Sequence, residues 1–254
     1  MPITTVALAP VPPGNFPRRL TDGQLQTVRI TKTVHWQTTP VTVGLYRSYL
    51  NAVGCTSNPE LEIWDGEWRP GPLFSDANSH GEDVPVIGTS FNDALGFISW
   101  LSKRDGRAYR LPSEAEFEHA VRAGCCCPAD CSSTSISKRE HTSRSWPEAL
   151  LTCWTAAANT PNPHGVHGLN GVIWQWCSDW YAPYPDGIDV SDPQGPPSKP
   201  ASSHWKGRTL PAGRIIRGGS YSYPEWYGRC DNRHFSFSDD RNVNLGFRVV
   251  SDES

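Results

Sequence analysis

Charge is scarce in this chain. Asp, Glu, Lys and Arg make up 19% of its 254 residues, and 23 basic residues nearly cancel 26 acidic ones. A net charge of −3 and a pI of about 6.2 supply neither the basic stripe that nucleic acid requires nor a polybasic surface for anionic lipid. No apolar stretch approaches the roughly 20 residues that span a bilayer, so membrane insertion is not expected. Met1 to Asn15 lacks both a basic start and a long apolar run and does not read as a signal peptide. No Gly/Ser or charge-run linker interrupts the sequence, so one domain over 1–254 is the simplest organisation. Nucleophile elbow, phosphate loop, zinc-protease helix and Ser/His/Asp order are all missing, and the Asp-Gly pairs at 65–66, 105–106 and 186–187 read as turns only.

What is plentiful is Trp (11), Pro (23) and Gly (22), which predicts a loop-heavy fold made rigid by aromatic packing. Three helices are legible from caps and apolar spacing. Thr42 opens one whose face is Leu45, Tyr46, Tyr49, Leu50 and Val53, with Gly54 as its stop. Ser90 opens a second with Asp93 in its first turn and Ala94, Phe97, Ile98 and Leu101 inward. Ser113 and Glu116 form a capping box before Phe117, Ala120 and Val121, with Gly124 as the end. Strands are expected at Thr27–Ile30, Gly171–Trp176, Arg214–Arg217 and Gly246–Val250, and the prolines at 161, 163, 183, 185 and from 193 to 200 mark long connections. The fold class is α+β, with short helices on small twisted antiparallel sheets and much irregular chain.

Eight cysteines allow four disulfides or several buried thiols. Cys125-Cys126-Cys127 with Cys131 and His141 could form a zinc site, but no second Cys-x-x-Cys pair completes tetrahedral spacing, so disulfides or free thiols are expected there. His164 and His167 lack a third ligand at sensible spacing. No metal site is therefore assigned. Glu114, Glu116 and Glu118 are read as cap and ion-pair partners, with Arg110 and Arg122 as counter-charges.

The residues from 221 to 244 stand apart. They interleave Tyr221, Tyr223, Trp226, Tyr227, His234, Phe235 and Phe237 with Ser222, Gly228, Asp231, Asn232, Ser236, Asp239, Asp240, Asn242 and Asn244. A core stretch would favour Leu, Ile and Val. Large amphipathic rings among short polar groups are instead the vocabulary of recognition loops, which implies an irregular, surface-borne backbone. The candidate binding residues are Tyr221, Ser222, Tyr223, Trp226, Tyr227, Gly228, Asp231, His234, Phe235, Phe237, Asp239, Asn242 and Asn244.

Arg217-Gly218-Gly219-Ser220 and Gly246-Phe247-Arg248 frame this segment. With Pro40-Val41-Thr42-Val43, Asp83-Val84-Pro85-Val86-Ile87-Gly88, Tyr109-Arg110-Leu111-Pro112-Ser113-Glu114 and Trp174-Gln175-Trp176, in that order, they give a chain that resembles the formylglycine-generating, or sulfatase-modifying, family from about Pro40 to Val250. That resemblance implies a C-type-lectin-like fold. It also implies where catalysis would reside: two cysteines after the Arg-Gly-Gly-Ser start that bind copper and activate oxygen. Tyr223 and, nearby, Gly228 stand at those positions, and Cys230 is a lone thiol at a framework position. One thiolate cannot make a two-coordinate copper site, so no catalytic residue and no cofactor are expected. The family's calcium segment would fall on Gly168, Gly171-Val172 and Trp174-Gln175-Trp176, where Gly and a neutral Gln replace the side-chain ligands; the expectation is that it holds no calcium.

The same segment is similar to the hypervariable C-terminus of variable proteins from diversity-generating retroelements. Adenine randomisation in those proteins excludes Lys, Glu, Gln, Met and Trp, and across 221–244 only Glu225 and Trp226 depart from that rule. The resemblance implies a non-catalytic receptor that recognises a protein or glycan on another surface, displayed on a virion or cell through a partner, with an oxygen-dependent oxidase or sulfoxide synthase of the same superfamily as the alternative.

Overall fold

The computed structural model describes residues 6–20, 22–64, 67–124, 146–205 and 207–253. The cysteine cluster at 125–131 and His141 lie outside the described residues. In chain order the first half carries β1 (Leu8–Val11), β2 (Gly14–Arg19), β3 (Leu25–Ile30), β4 (Val34–Gln37), α1 (Val43–Val53), β5 (Glu60–Trp64), β6 (Trp68–Leu73), α2 (Phe74–Ala77), α3 (Phe91–Asp105) and α4 (Glu114–Arg122). The second half carries α5 (Trp146–Ala158), β7 (Trp174–Trp180), β8 (Asp189–Ser191), β9 (Ser203–Trp205), β10 (Arg208–Leu210), β11 (Arg214–Arg217), β12 (His234–Ser236), β13 (Leu245–Gly246) and β14 (Val250–Ser251).

The caps form as the residue types dictate. The Thr42 hydroxyl accepts from Leu45 N–H, and both Ser90/Asp93 and Ser113/Glu116 close complete capping boxes. Two details differ from expectation. Val53 is exposed, because the last turn of α1 runs past the core. Helix α4 ends in two left-handed residues, Ala123 and Gly124. Helix α5 was not anticipated: it is apolar on most sides, so no 3.6-residue stripe announces it, although the string Ser145-Trp146-Pro147-Glu148 has capping-box spacing and proline suits a first helical turn. Leu150, Cys153 and Trp154 pack it into the core.

A four-stranded sheet of order β12-β11-β7-β13 carries the C-terminal segment. Its pairings are antiparallel except β7 with β13, and β3 with β8 is also parallel. Sheets β1-β4-β14 and β2-β3-β8 and hairpins β5-β6 and β9-β10 complete the α+β fold. The expected 171–176 strand begins at Trp174 and runs to Trp180, since Gly171 is left-handed. Of 246–250 only the two ends are strand. The largest core cluster packs Trp174, Trp176, Ile216 and Phe247 against Tyr46 of α1 and Phe97 of α3. The Trp176 indole donates to the Thr89 carbonyl at 2.8 Å, tying β7 to the start of α3. Of the four described cysteines, Cys153, Cys177 and Cys230 are buried and Cys55 is exposed.

Candidate ligand-binding face

Strand β11 delivers the chain into Gly218-Gly219, and both positions demand glycine. Each has positive φ (100° and 68°), and a Cβ would lie 2.5 Å from the Leu169 carbonyl oxygen at Gly218 or 2.7 Å from Gly228 N at Gly219. The backbone therefore turns back tightly against its own later course at 227–228. Two fully buried arginines hold the frame. Arg217 donates to the carbonyls of Asn232 and Cys230, and Arg248 donates to those of Gln37, His167 and Gly168 and to the Gln175 amide oxygen. No carboxylate compensates Arg248, and burial depresses its pKa to about 9.

This polar knot answers the calcium question. The Gln175 Nε2 donates to the carbonyls of Gly168 and Leu169 at 2.9 and 3.3 Å, while Arg248 donates to those of Gly168 and His167 at 3.0 and 2.7 Å. Carbonyl oxygens that could face a cation are thus engaged by protein N–H donors, and no anionic ligand stands among them. The residues do not fit calcium. Nor do they fit a two-thiolate copper centre. Tyr223 packs edge-on against Trp174 at 5.6 Å, Gly228 is buried backbone, and Cys230 is sealed in the cluster that holds Trp36 and Phe117. Among the described residues no group of three His, Cys, Asp or Glu is placed to hold a metal.

The segment itself divides into outward and inward residues. Trp226, 54% exposed, stacks on Tyr227 with ring centroids 3.8 Å apart. Tyr223, Tyr227 and His234 are half-buried and surround the Trp174 ring at 5.5–6.0 Å. From Tyr227 the ring contacts continue through His234 and Phe235 to Phe237, which is 37% exposed. Asp231 receives the Arg229 guanidinium, and exposed Asp239 accepts from Asn92 at 2.9 Å.

Other candidates face inward. Phe235, Gly228, Asn242 and Asn244 are buried. The Tyr221 hydroxyl donates to the Val243 carbonyl, and burial raises its pKa strongly. Asn244 donates to the Ser222 hydroxyl, closing the segment across 22 residues. These side chains shape the backbone rather than present a surface, so the expectation of a wholly surface-borne segment is narrowed to about half of its members. Burial and its hydrogen bonds with Ser236 and Phe237 also place Asp240 beneath this rim, with its pKa raised by burial.

Sequence reasoning missed a buried charge cluster behind the face. Glu114 binds Arg233 through two bonds of 2.8 and 2.6 Å, and Glu118 binds both Arg18 and the expected Arg122. Burial opposes ionisation of Glu114, but Arg233, Arg217 and Arg18 outweigh it and lower its pKa. Arg18 and Arg233 lie 100 and 119 residues from the acids they bind, so no local spacing reveals these two pairs.

A family model described as the sulfatase-modifying factor enzyme 1-like domain matches residues 4–253. The chain belongs to this family. Formylglycine-generating enzymes of Streptomyces coelicolor and Bos taurus are 32% and 30% identical to it over 211 and 207 residues, each covering 76% of the chain. The chain spans only 60% and 50% of the length of those two relatives. Among solved structures, Treponema denticola variable protein 1 superposes with a TM-score of 0.62 at 20% identity, covering 98% of both chains. The architecture is that of the formylglycine-generating, C-type-lectin-like fold. Within it this sulfatase-modifying factor enzyme 1-like chain has tyrosine and glycine where the resemblance places the family's metal-binding thiols.

Proposed function

We propose that this chain is a non-catalytic binding protein of the variable-protein type, recognising a protein or glycan on another surface through the segment 221–244. The observation that carries the reading is the connected series of rings from Trp226 to Phe237, occupying the region where thiols would make the family an enzyme. Large rings with few rotors on a fixed backbone suit an interface, where a few aromatic and Arg anchors supply most of the energy. Contact then falls to Tyr223, Trp226, Tyr227, Asp231, His234, Phe237 and Asp239, and the inward members Tyr221, Phe235, Asn242 and Asn244 hold the shape. Ser222 and Gly228 belong with the latter. Display on a virion or cell would run through a partner; among the described residues no helix is long and apolar enough to cross a membrane.

Screening the purified chain against glycan arrays and displayed surface proteins, with Trp226→Ala and Phe237→Ala beside it, tests the proposal. Any specific ligand should lose about 2 kcal/mol or more on truncation of an anchor. Ligand binding unaffected by both substitutions refutes it. A near-copy of the codons for 217–248, altered at adenines and lying beside a reverse transcriptase gene, would support the retroelement origin. The second reading, formylglycine-generating oxidation, is favoured by the identity to the two enzymes. Copper-dependent oxidation of a cysteine-containing peptide decides it, and none is expected without the thiol pair.

A further inference from the structure

Val43, Tyr46, Arg47 and Leu50 follow the helical repeat along α1 and line one wall of a cavity of about 340 Å³, within the range of small-molecule sites. Phe74, Ser75 and Asn78 of α2 line another, and the chain from Cys55 to Asn58 borders both. The protein's own hydrogen bonds tie these walls together. Left-handed Gly54 turns the chain at the end of α1, where Cys55 N–H donates to the Leu50 carbonyl at 2.9 Å. Asn58 and Ser75 exchange bonds of 2.8 and 3.0 Å, and the Asn78 amide holds the backbone of Phe74 and Ile87. The cavity is therefore preformed.

Among the described residues that line it Arg47 alone is charged, and its guanidinium pairs with Glu82. An ion entering here would give up water against walls that offer no free counter-charge, so the lining favours an uncharged occupant. Half-buried Leu50 and Phe74 and the nearly closed Val43 and Val86 supply apolar surface. One polar group is left over. Tyr46 is 4% exposed, yet its hydroxyl bonds to no group among the described residues, and it is not one of the polar atoms shut off from solvent. Burial holds its pKa well above the ordinary tyrosine value, so it stays a neutral hydroxyl. A buried tyrosine ordinarily finds a partner for its O–H, and the cavity is the space that Tyr46 borders.

We infer that this cavity binds a small uncharged amphiphile of the phenol class, its ring against Leu50 and Phe74 and its oxygen on the Tyr46 hydroxyl. The site is built from α1, α2 and the chain between 55 and 58, and it does not rest on the receptor reading.

Exposed Cys55, on the rim, reports occupancy. Its alkylation by iodoacetamide, followed by peptide mass spectrometry, is measured in the presence of p-cresol, toluene or benzoate. p-Cresol should slow the reaction saturably. Toluene, which lacks the oxygen, should need a roughly two- to tenfold higher concentration, the worth of one neutral hydrogen bond, and anionic benzoate should protect less than p-cresol. Tyr46→Phe removes a hydroxyl without a protein partner, so its melting temperature should not fall, and in that variant p-cresol and toluene should protect alike. Ser57→Trp, a change at an exposed position on the rim, should abolish protection by p-cresol through blocked entry. No saturable protection by p-cresol, equal protection by p-cresol and toluene or by p-cresol and benzoate in the wild type, a p-cresol advantage that survives Tyr46→Phe, or full protection in Ser57→Trp would each overturn the proposal. An unfolded Tyr46→Phe would overturn it as well, because the hydroxyl would then serve the fold.

Discussion

Trp174→Ala and Trp226→Ala remove the same side chain from two sides of one aromatic cluster and should have very different costs. Trp174 is 2% exposed and lies under Tyr223, Tyr227 and His234 on one side and the α1–α3 core on the other. Truncating a buried Trp costs about 3–5 kcal/mol. In a domain of this size 1 kcal/mol moves the melting temperature by roughly 2–4 °C, so Trp174→Ala should lower it by roughly 6–20 °C. Trp226 loses one stacking contact with Tyr227 and little buried area; such a pair contributes about 0.5–1.5 kcal/mol, a shift of a few degrees at most. Tyr227→Ala and His234→Ala should fall between, since both cover Trp174. Urea unfolding followed by circular dichroism measures all four. Equal losses for Trp174→Ala and Trp226→Ala would mean that the 225–228 turn is core, and the division into an inner scaffold and an outer contact row would be wrong.

Gly219→Ala should destabilise by about 2 kcal/mol or more, because a left-handed non-glycine residue is strained and its Cβ meets the 227–228 backbone; Gly54→Ala, equally left-handed with nothing within 4 Å, should cost visibly less in the same urea titration. The pKa of Glu114 is lowered in the folded state, so its ionisation stabilises the fold above the ordinary carboxylate range and that contribution disappears as pH falls through the lowered value. Glu114→Gln should therefore be clearly less stable than wild type at pH 7, with the gap narrowing in acid; a constant gap would contradict the linkage. Calcium or EDTA should leave the melting temperature unchanged, given the N–H donors on the carbonyls of Gly168 and Leu169; a fall with EDTA would reopen that site.

The helices whose ends carry chemistry were legible in the sequence. Ser90/Asp93 and Ser113/Glu116 are local hydrogen-bonding units, and local units can be read from a linear string. Helix α5 follows a Ser145-x-x-Glu148 string of the same spacing, but its apolar composition shows no helical stripe and hid it. The two-sided character of 221–244 was hidden for another reason. Tyr221 and Tyr227 are the same residue type six positions apart, but one is committed by its hydroxyl to the Val243 carbonyl and the other rests half-open on Trp174, a distinction set by where β13 returns beside β7. Likewise Glu118 finds Arg122 one helical turn away, as expected, whereas its bond to Arg18 depends on β2 crossing beneath α4.

The turn at Gly218-Gly219 and the pairing of β7 with both β11 and β13 together fasten the two ends of a long excursion. Bringing such ends together costs chain entropy that grows only slowly with length, and here the fastening is done by backbone hydrogen bonds and by Arg217 and Arg248, none of which depends on what Trp226, Asp231 or Phe237 happen to be. Closure and contact are thermodynamically decoupled. A lineage could rewrite the outer residues many times over and forfeit little folding free energy with each version, provided that Tyr221, Phe235, Asn242 and Asn244 are left in place.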